Sequence, residues 1–125
     1  MIYPRHLCYT TGHQWVSFEA QYAFIGITDF AQKKLAQIVA VDIPYLNKAL
    51  ERNKFLGSIE AAHAVLDLFM PFTGVITEIN PDILKYPGLI NRDPFDTWII
   101  KILVPLIDNE NLLLTADEYQ ALVGQ

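Results

Sequence analysis

Three histidines, one cysteine and two serines are the side chains from which covalent or acid–base chemistry could start in this chain. His6, His13 and His63 have no second histidine four positions on and no cluster of carboxylates beside them. They lack the spacing that holds a metal ion. Cys8 stands two residues from His6, a spacing that sends side chains to opposite faces of a strand. It reads as a partly buried, unactivated thiol. Ser17 and Ser58 lack the Gly-x-Ser-x-Gly turn that lifts a nucleophile out of a sheet. The six glycines are dispersed, so no glycine-rich phosphate loop is expected. Neither a self-contained catalytic centre nor a metal set is expected.

Glu60 and Asp67 flank Ala61-Ala62-His63-Ala64 on the two arms of an expected hairpin. A turn of small residues with one longer side chain presents that side chain to solvent. From these residues alone the simplest reading is an ordinary β-turn. The alternative gives His63 a role of its own, as a proton-transfer group, a phosphoryl acceptor or a single metal ligand. Imidazole gains and loses a proton near neutral pH, which permits such roles. Asp93 and Asp96 flank Pro94-Phe95 and read as turn formers.

The elements that must hold this hairpin read as short strands. Gln14 to Phe18, Tyr22 to Ile27, Gln37 to Ile43, Phe55 to Ile59, Val65 to Met70, Val75 to Ile79 and Trp98 to Leu103 carry strand patterns bounded by Gly, Pro or Asn. Within Gln37 to Ile43, Val39, Val41 and Ile43 share one face at period two. Two helices are expected. Asp29 to Leu35 opens on Asp29, with Gln32 three residues on. The second helix has Thr115 as N-cap, Glu118 at the reciprocal position, and Leu114 and Tyr119 as a hydrophobic staple. Tyr119 and Leu122, three apart, would form its buried face. A helical turn around Ile83 to Tyr86 should stop at Pro87-Gly88.

The length of 125 residues points to one domain over 1–125. With 52% hydrophobic and 18% charged residues, disorder is not expected. The net charge is −5, and the nine Lys and Arg residues are scattered. Neither the basic stripe of a nucleic-acid binder nor the basic cluster of an anionic-membrane binder is there. One cysteine permits no internal disulfide, which suits a reducing compartment. The longest apolar stretch, Trp98 to Ile107, is broken by Lys101 and Pro105 and is too short to span a bilayer. The N-terminus carries no signal-peptide pattern, so a cytoplasmic setting is expected.

Several segments, taken in order, resemble one family. They are Gly-His-Gln-Trp-Val at 12–16, Gly-Ile-Thr-Asp-Phe-Ala-Gln at 26–32, Ile-Val-Ala-Val-Asp-Ile-Pro at 38–44 and Leu-Gly-Ser-Ile-Glu at 56–60. Pro-Phe-Thr-Gly at 71–74, Leu-Ile-Asn-Arg-Asp-Pro-Phe at 89–95, Trp-Ile-Ile-Lys-Ile at 98–102 and Leu-Thr-Ala-Asp-Glu-Tyr at 114–119 continue the series. Together they are similar to the H-protein family of the glycine cleavage system. The resemblance implies a mainly β fold, a flattened barrel-sandwich hybrid of the lipoyl/biotinyl-carrier type with short helices, including a C-terminal one. It also implies a carrier rather than an enzyme. In that family a lysine at a hairpin tip carries lipoate. The arm shuttles an aminomethyl group between glycine decarboxylase, aminomethyltransferase and lipoamide dehydrogenase.

At the tip this chain departs from the family. The family reads Glu-Ser-Val-Lys-Ala where this chain has Glu60-Ala61-Ala62-His63-Ala64. The flanks of His63 hold their places, Gly57 and Glu60 before it and Ala64, Val65 and Asp67 after it, and with Ala61 and Ala62 they make up the hairpin frame. No lysine lies between Lys54 and Lys85, so a small shift of alignment recovers none. Lipoylation makes an amide on a free amine, which lysine supplies on a flexible stem. Histidine offers only ring nitrogens. No lipoyl cofactor is therefore expected at the lipoyl-acceptor position His63. The resemblance places His13, Gln14 and Asp29 on the family surface near the arm, where Gln14 replaces a usual glutamate. The expected role is a non-lipoylated, non-catalytic partner of lipoate-dependent enzymes or of lipoate attachment enzymes. Two alternatives stand beside it: a working carrier with its arm on another lysine, and a binding or acid–base role of His63.

Overall fold

The computed structural model describes residues 2–105 and 113–124. Leu106 and Ile107, the end of the longest apolar stretch, lie outside the described residues. The strands are β1 (Cys8–Tyr9), β2 (Gln14–Glu19), β3 (Tyr22–Ile27), β4 (Ile38–Asp42), β5 (Ala49–Leu50), β6 (Phe55–Ala61), β7 (Val65–Phe69), β8 (Gly74–Ile79) and β9 (Ile100–Leu103). The helices are α1 (Asp29–Leu35), α2 (Pro81–Lys85), α3 (Leu89–Arg92) and α4 (Ala116–Val123).

The strands form two antiparallel sheets. One runs β1-β2-β3-β9-β8-β5, the other β4-β6-β7. They do not close into one barrel, since no ladder joins them. Alternation explains the pairing of the sheets. Ile25 and Ile27 of the large sheet and Leu56, Ile59 and Leu68 of the small one are buried in a single core with Phe72, Ile76 and Ile102. A second cluster, built from Tyr3, Tyr9, Trp15 and Tyr119, lies under α4. Gly26 makes room for it, because a Cβ there would stand 2.3 Å from the Trp15 indole. No helix among the described residues is long and apolar enough to cross a membrane.

Several expectations need correction. Val39 does not share a face with Val41 and Ile43. A register shift between Ile38 and Ala40 turns it out to 50% exposure, while Ile43 is 8% exposed. A bulge changes alternation in this way, and periodicity alone does not reveal it. The cap of α1 is Thr28, one residue before Asp29, and its side chain accepts from the Ala31 N–H. Asp29 instead accepts from the Gln32 amide at 2.7 Å and pairs with Lys33 at 3.1 Å. The helical turn around Ile83 does stop before Pro87-Gly88, with Tyr86 capping α2, and the unexpected feature is a second short helix, α3, directly after it.

The capping box of α4 forms as expected, with both Thr115 and Glu118 engaged. The staple forms too, because Leu114 packs against the cluster that buries Tyr119. Leu122 is not on the buried face of α4. It is 52% exposed, and Ala116, Tyr119 and Val123 form that face instead. The spacing that wins is three and then four residues, which follows the 3.6-residue turn.

Candidate functional site

The tip of the β6–β7 hairpin is a two-residue turn. Ala61 N–H donates to Ala64 O at 3.0 Å, leaving Ala62 and His63 at the turn. Ala62, His63 and Ala64 are exposed, with Glu60 and Asp67 exposed on the arms below them. The tip backbone is nevertheless anchored. Ala62 N–H donates to Gln37 O at 2.8 Å, and His63 N–H donates to Leu35 O at 3.3 Å. The turn therefore rests on the link between α1 and β4, and the imidazole projects from a fixed base.

The hairpin's root is equally constrained. Gly57 is buried in β6, and a Cβ there would stand 2.4 Å from the Asp42 carbonyl oxygen. Of the lysines nearest in sequence, Lys54 precedes β6 and Lys85 ends α2. Lys33 pairs with Asp29 at 3.1 Å, and Lys34 lies 5.4 Å from the Phe30 ring centroid. Lys101 lies 4.3 Å from that of Tyr22.

Gln14 was expected on the surface near the arm, but it is buried at 1% exposure. Its amide is held at both ends by one residue of β7. The Phe69 N–H donates to Gln14 Oε1 at 3.2 Å, and Gln14 Nε2 donates to Phe69 O at 3.0 Å. A side-chain amide thus stands where a neighbouring strand would, joining the large sheet to the edge of the small one. Five residue steps lead from Ala64 to Phe69, so Gln14 sits roughly 16 Å along β7 from the tip. A cleft of about 430 Å³ opens at that seam, lined by Gln14, Phe69, Met70, Pro71, Arg52 and Tyr9 among others. It lies at the root of β7, away from its tip.

His13 takes part in a different network. It has φ of 66°, in the left-handed region. Its Nδ1 lies 2.8 Å from the Tyr119 hydroxyl, which lies 2.8 Å from Thr28 Oγ1. Thr28 Oγ1 also accepts from Ala31 N–H at 3.2 Å, and the Tyr119 oxygen at 2.8 Å is the acceptor within reach of its own buried proton. Tyr119 then donates to His13 Nδ1, which leaves the imidazole neutral with its proton on Nε2. Protonating Nδ1 would reverse the chain of donors and leave the Thr28 hydroxyl, which is fully buried, without an acceptor. Burial also lowers the His13 pKa and, as its largest cause, pushes Tyr119 up to about 12.

A pH dependence follows from this network. The unfolded chain takes up the His13 proton near pH 6.5, and the folded chain does so only at lower pH. Stability is therefore fully present above the unfolded value. It falls as pH drops below that value, and the loss is complete once pH is under the folded value. Urea midpoints measured from pH 7.5 to 5 should show this slope. His13→Asn should flatten it, since asparagine tolerates the same backbone conformation.

Four contributors to the site escaped the sequence reading. The Leu35 and Gln37 acceptors are backbone carbonyls, which carry no side-chain signal. Tyr119 was read as a staple and buried-face residue, with no role for its hydroxyl, which joins His13 to the cap of α1. Asn91 lay in a quoted motif with no role attached. Asp29 is half-buried at the start of α1, and the helix it opens ends at the carbonyl that receives the tip.

Two antiparallel sheets that present an anchored hairpin with a two-residue tip define a carrier-type domain. The model for the glycine cleavage H-protein matches residues 7–125, and the chain belongs to that family. The glycine cleavage system H protein of Bacteroides fragilis is 39% identical over 125 residues, covering 99% of each chain. That of Bacteroides thetaiotaomicron is 40% identical over the same length and coverage. The crystal structure of a Mycobacterium marinum glycine cleavage system H protein superposes with a TM-score of 0.87 at 28% identity, covering 98% of this chain and 100% of that one. Proteins of this family are carriers of the glycine cleavage system and not enzymes.

Proposed function

We propose that residues 1–125 act as an H-protein-type carrier unit that is not lipoylated at the usual position, and that it binds the enzymes which read the hairpin rather than delivering a cargo to them. The observation that carries the reading is His63 at the turn of an otherwise retained hairpin. An acyl group on an imidazole nitrogen is an activated, labile species, whereas the lysine amide it would replace is a stable tether. The turn geometry does not compensate, because the side chain itself lacks the amine.

The partners follow from the family: lipoate attachment enzymes first, then glycine decarboxylase, aminomethyltransferase and lipoamide dehydrogenase, in a cytoplasmic setting. Of the hairpin frame of Gly57, Glu60, Ala61, Ala62, Ala64 and Asp67, the exposed Glu60, Ala62, Ala64 and Asp67 are the part such enzymes would contact, with Gly57 buried at its root. Gln14 holds the root of β7 through Phe69, and Asp29 reaches the frame through α1, while His13 belongs to the separate network with Tyr119.

A competition assay tests this role. A lipoate ligase loads the Bacteroides fragilis H protein, and this chain is added in increasing molar excess. The expected result is a raised KM for the loadable protein with kcat unchanged, while this chain gains no mass. Loading rates unaffected by a large excess of the chain would overturn the reading.

A further inference from the structure

The tip is held by two carbonyls, those of Leu35 and Gln37. The segment that supplies them is poorly suited to hold itself. Ala36 sits at φ 61° and ψ −145°, a conformation that an alanine rarely adopts. Residues forced into such regions stay there only when their surroundings over-determine them. Ala36 N–H caps α1 on Gln32 O at 3.0 Å, and one side chain adds three further bonds around it. Asn91 Oδ1 accepts from Ile38 N–H at 2.9 Å. Asn91 Nδ2 donates to Ala36 O at 2.7 Å and to Gln32 Oε1 at 2.9 Å.

We infer that Asn91 of α3 is the positioning residue for the hairpin tip, because its amide fixes the strained Ala36 segment whose neighbouring carbonyls receive the Ala62 and His63 amides. The three bonds bracket residues 35–37 on both sides. One goes to the last turns of α1, one to Ala36 and one to the first residue of β4. Only a primary amide supplies two donors and an acceptor from one planar group. Aspartate keeps the acceptor and loses both donors. Alanine loses all three.

Asn91 touches neither His63 nor any group that reacts. It acts through the backbone, setting the base from which the tip side chain projects. The chain of contacts runs from Asp29 through Gln32 to Asn91, and then through Ala36 to the tip. Asp29, expected near the arm from the family resemblance, is therefore joined to the tip by hydrogen bonds along α1.

This inference rests on reading the turn as the presented element, but its first test does not. Amide hydrogen exchange is measured by NMR on the full chain, comparing wild type with Asn91→Asp. The Ala62 amide should exchange at least tenfold faster in the variant. The Ile99 amide, which bonds Ile25 O in the large sheet at 2.7 Å, should keep its wild-type rate. Wild-type exchange at Ala62 would overturn the inference. Equal acceleration at Ile99 would overturn it too, since that marks a general loss of stability. Gln32→Ala removes one of the three bonds and serves if Asn91→Asp does not fold. It should accelerate Ala62 in the same local way, by a smaller factor, and unchanged exchange there would count against the inference.

A second readout uses the His63→Lys chain with a lipoate ligase. Adding Asn91→Asp should raise KM for loading several-fold with little change in kcat, because the tip is displaced rather than chemically altered. Local exchange that responds while no ligase recognises the tip would sink the proposed function and leave the positioning role intact. The reverse result would sink the positioning role alone.

Discussion

Gly57→Ala should lower the unfolding free energy by on the order of 3 kcal/mol, the upper part of the range for forcing atoms into a packed site. The added methyl would meet the Asp42 carbonyl oxygen at 2.4 Å and the Ile43 Cδ1 at 2.7 Å. The side-chain atom can rotate away, but the carbonyl belongs to β4, which pairs with β6 through Asp42 and Ser58. Relief therefore means moving one strand of a three-stranded sheet. Urea unfolding followed by tryptophan fluorescence should show the midpoint falling by about 1 M or more, given typical slopes for a domain of this size. Gly88→Ala is the control. A Cβ there meets nothing within 4 Å, and its φ of −63° suits alanine. Its midpoint should hold or rise slightly. A Gly57→Ala midpoint equal to that of the control would show that β4 and β6 are less tightly stacked than the geometry requires.

The second large effect belongs to Gln14→Glu, which restores the residue usual at this place in the resembling family. In this chain the amide is needed for both of its ends. An ionised carboxylate still accepts from Phe69 N–H but sets an oxygen against Phe69 O. It would stand at a position only 1% exposed. The loss at pH 8 should be about 2 kcal/mol, the cost of an unpaired buried polar group. The sign of the pH dependence follows. Burial and the facing carbonyl raise the folded pKa of the new carboxyl above the unfolded value. Protonated, it donates to Phe69 O as the amide does. Stability is therefore present at low pH and lost as pH rises through the raised folded value. Urea midpoints at pH 5 and pH 8 should differ more for this variant than for wild type, and in the opposite direction from the His13 slope. Equal stability of Gln14→Glu and wild type at pH 8 would mean that the Phe69 carbonyl finds another donor.

Much of the fold was legible because its signals are local. Tyr22–Ile27 and Asp29–Leu35 form over the ranges that alternation and helical spacing predict, and the Thr115–Glu118 box caps α4 as read. What was not legible depends on contacts between distant residues. β1 and β5 are two residues each, too short for a period, and exist because β2 and β8 pair with them. Val39 turned outward because β6 imposes a bulge on β4. Gln14 was expected on the surface because the family resemblance places it there, at the start of a strand. Its burial depends on Phe69, 55 positions away.

The candidate site divides in the same way. His63 and its frame were singled out by the resemblance to the family, because residue types alone read there as an ordinary β-turn. Its anchoring was not. The acceptors are main-chain carbonyls, and the strained Ala36 gives no sign in sequence, where glycine would have been the usual signal. Asn91 was visible as part of a motif, but its work appears only when α3 is laid beside the end of α1.

The central claim is that this chain retains the hairpin of a lipoyl carrier and, with His63 in place of the family's lysine, lacks the amine to be loaded. Intact mass measurement tests it most directly. Wild type and His63→Lys are each co-expressed with a lipoate ligase and lipoate. The account predicts that the wild-type mass is unchanged and that His63→Lys gains one lipoyl group. A wild-type chain that gains the group would contradict the account, and peptide mapping would then locate the lysine that carries it. A His63→Lys chain that stays unmodified would contradict it equally, because the frame around the tip would no longer be one that the attachment machinery recognises.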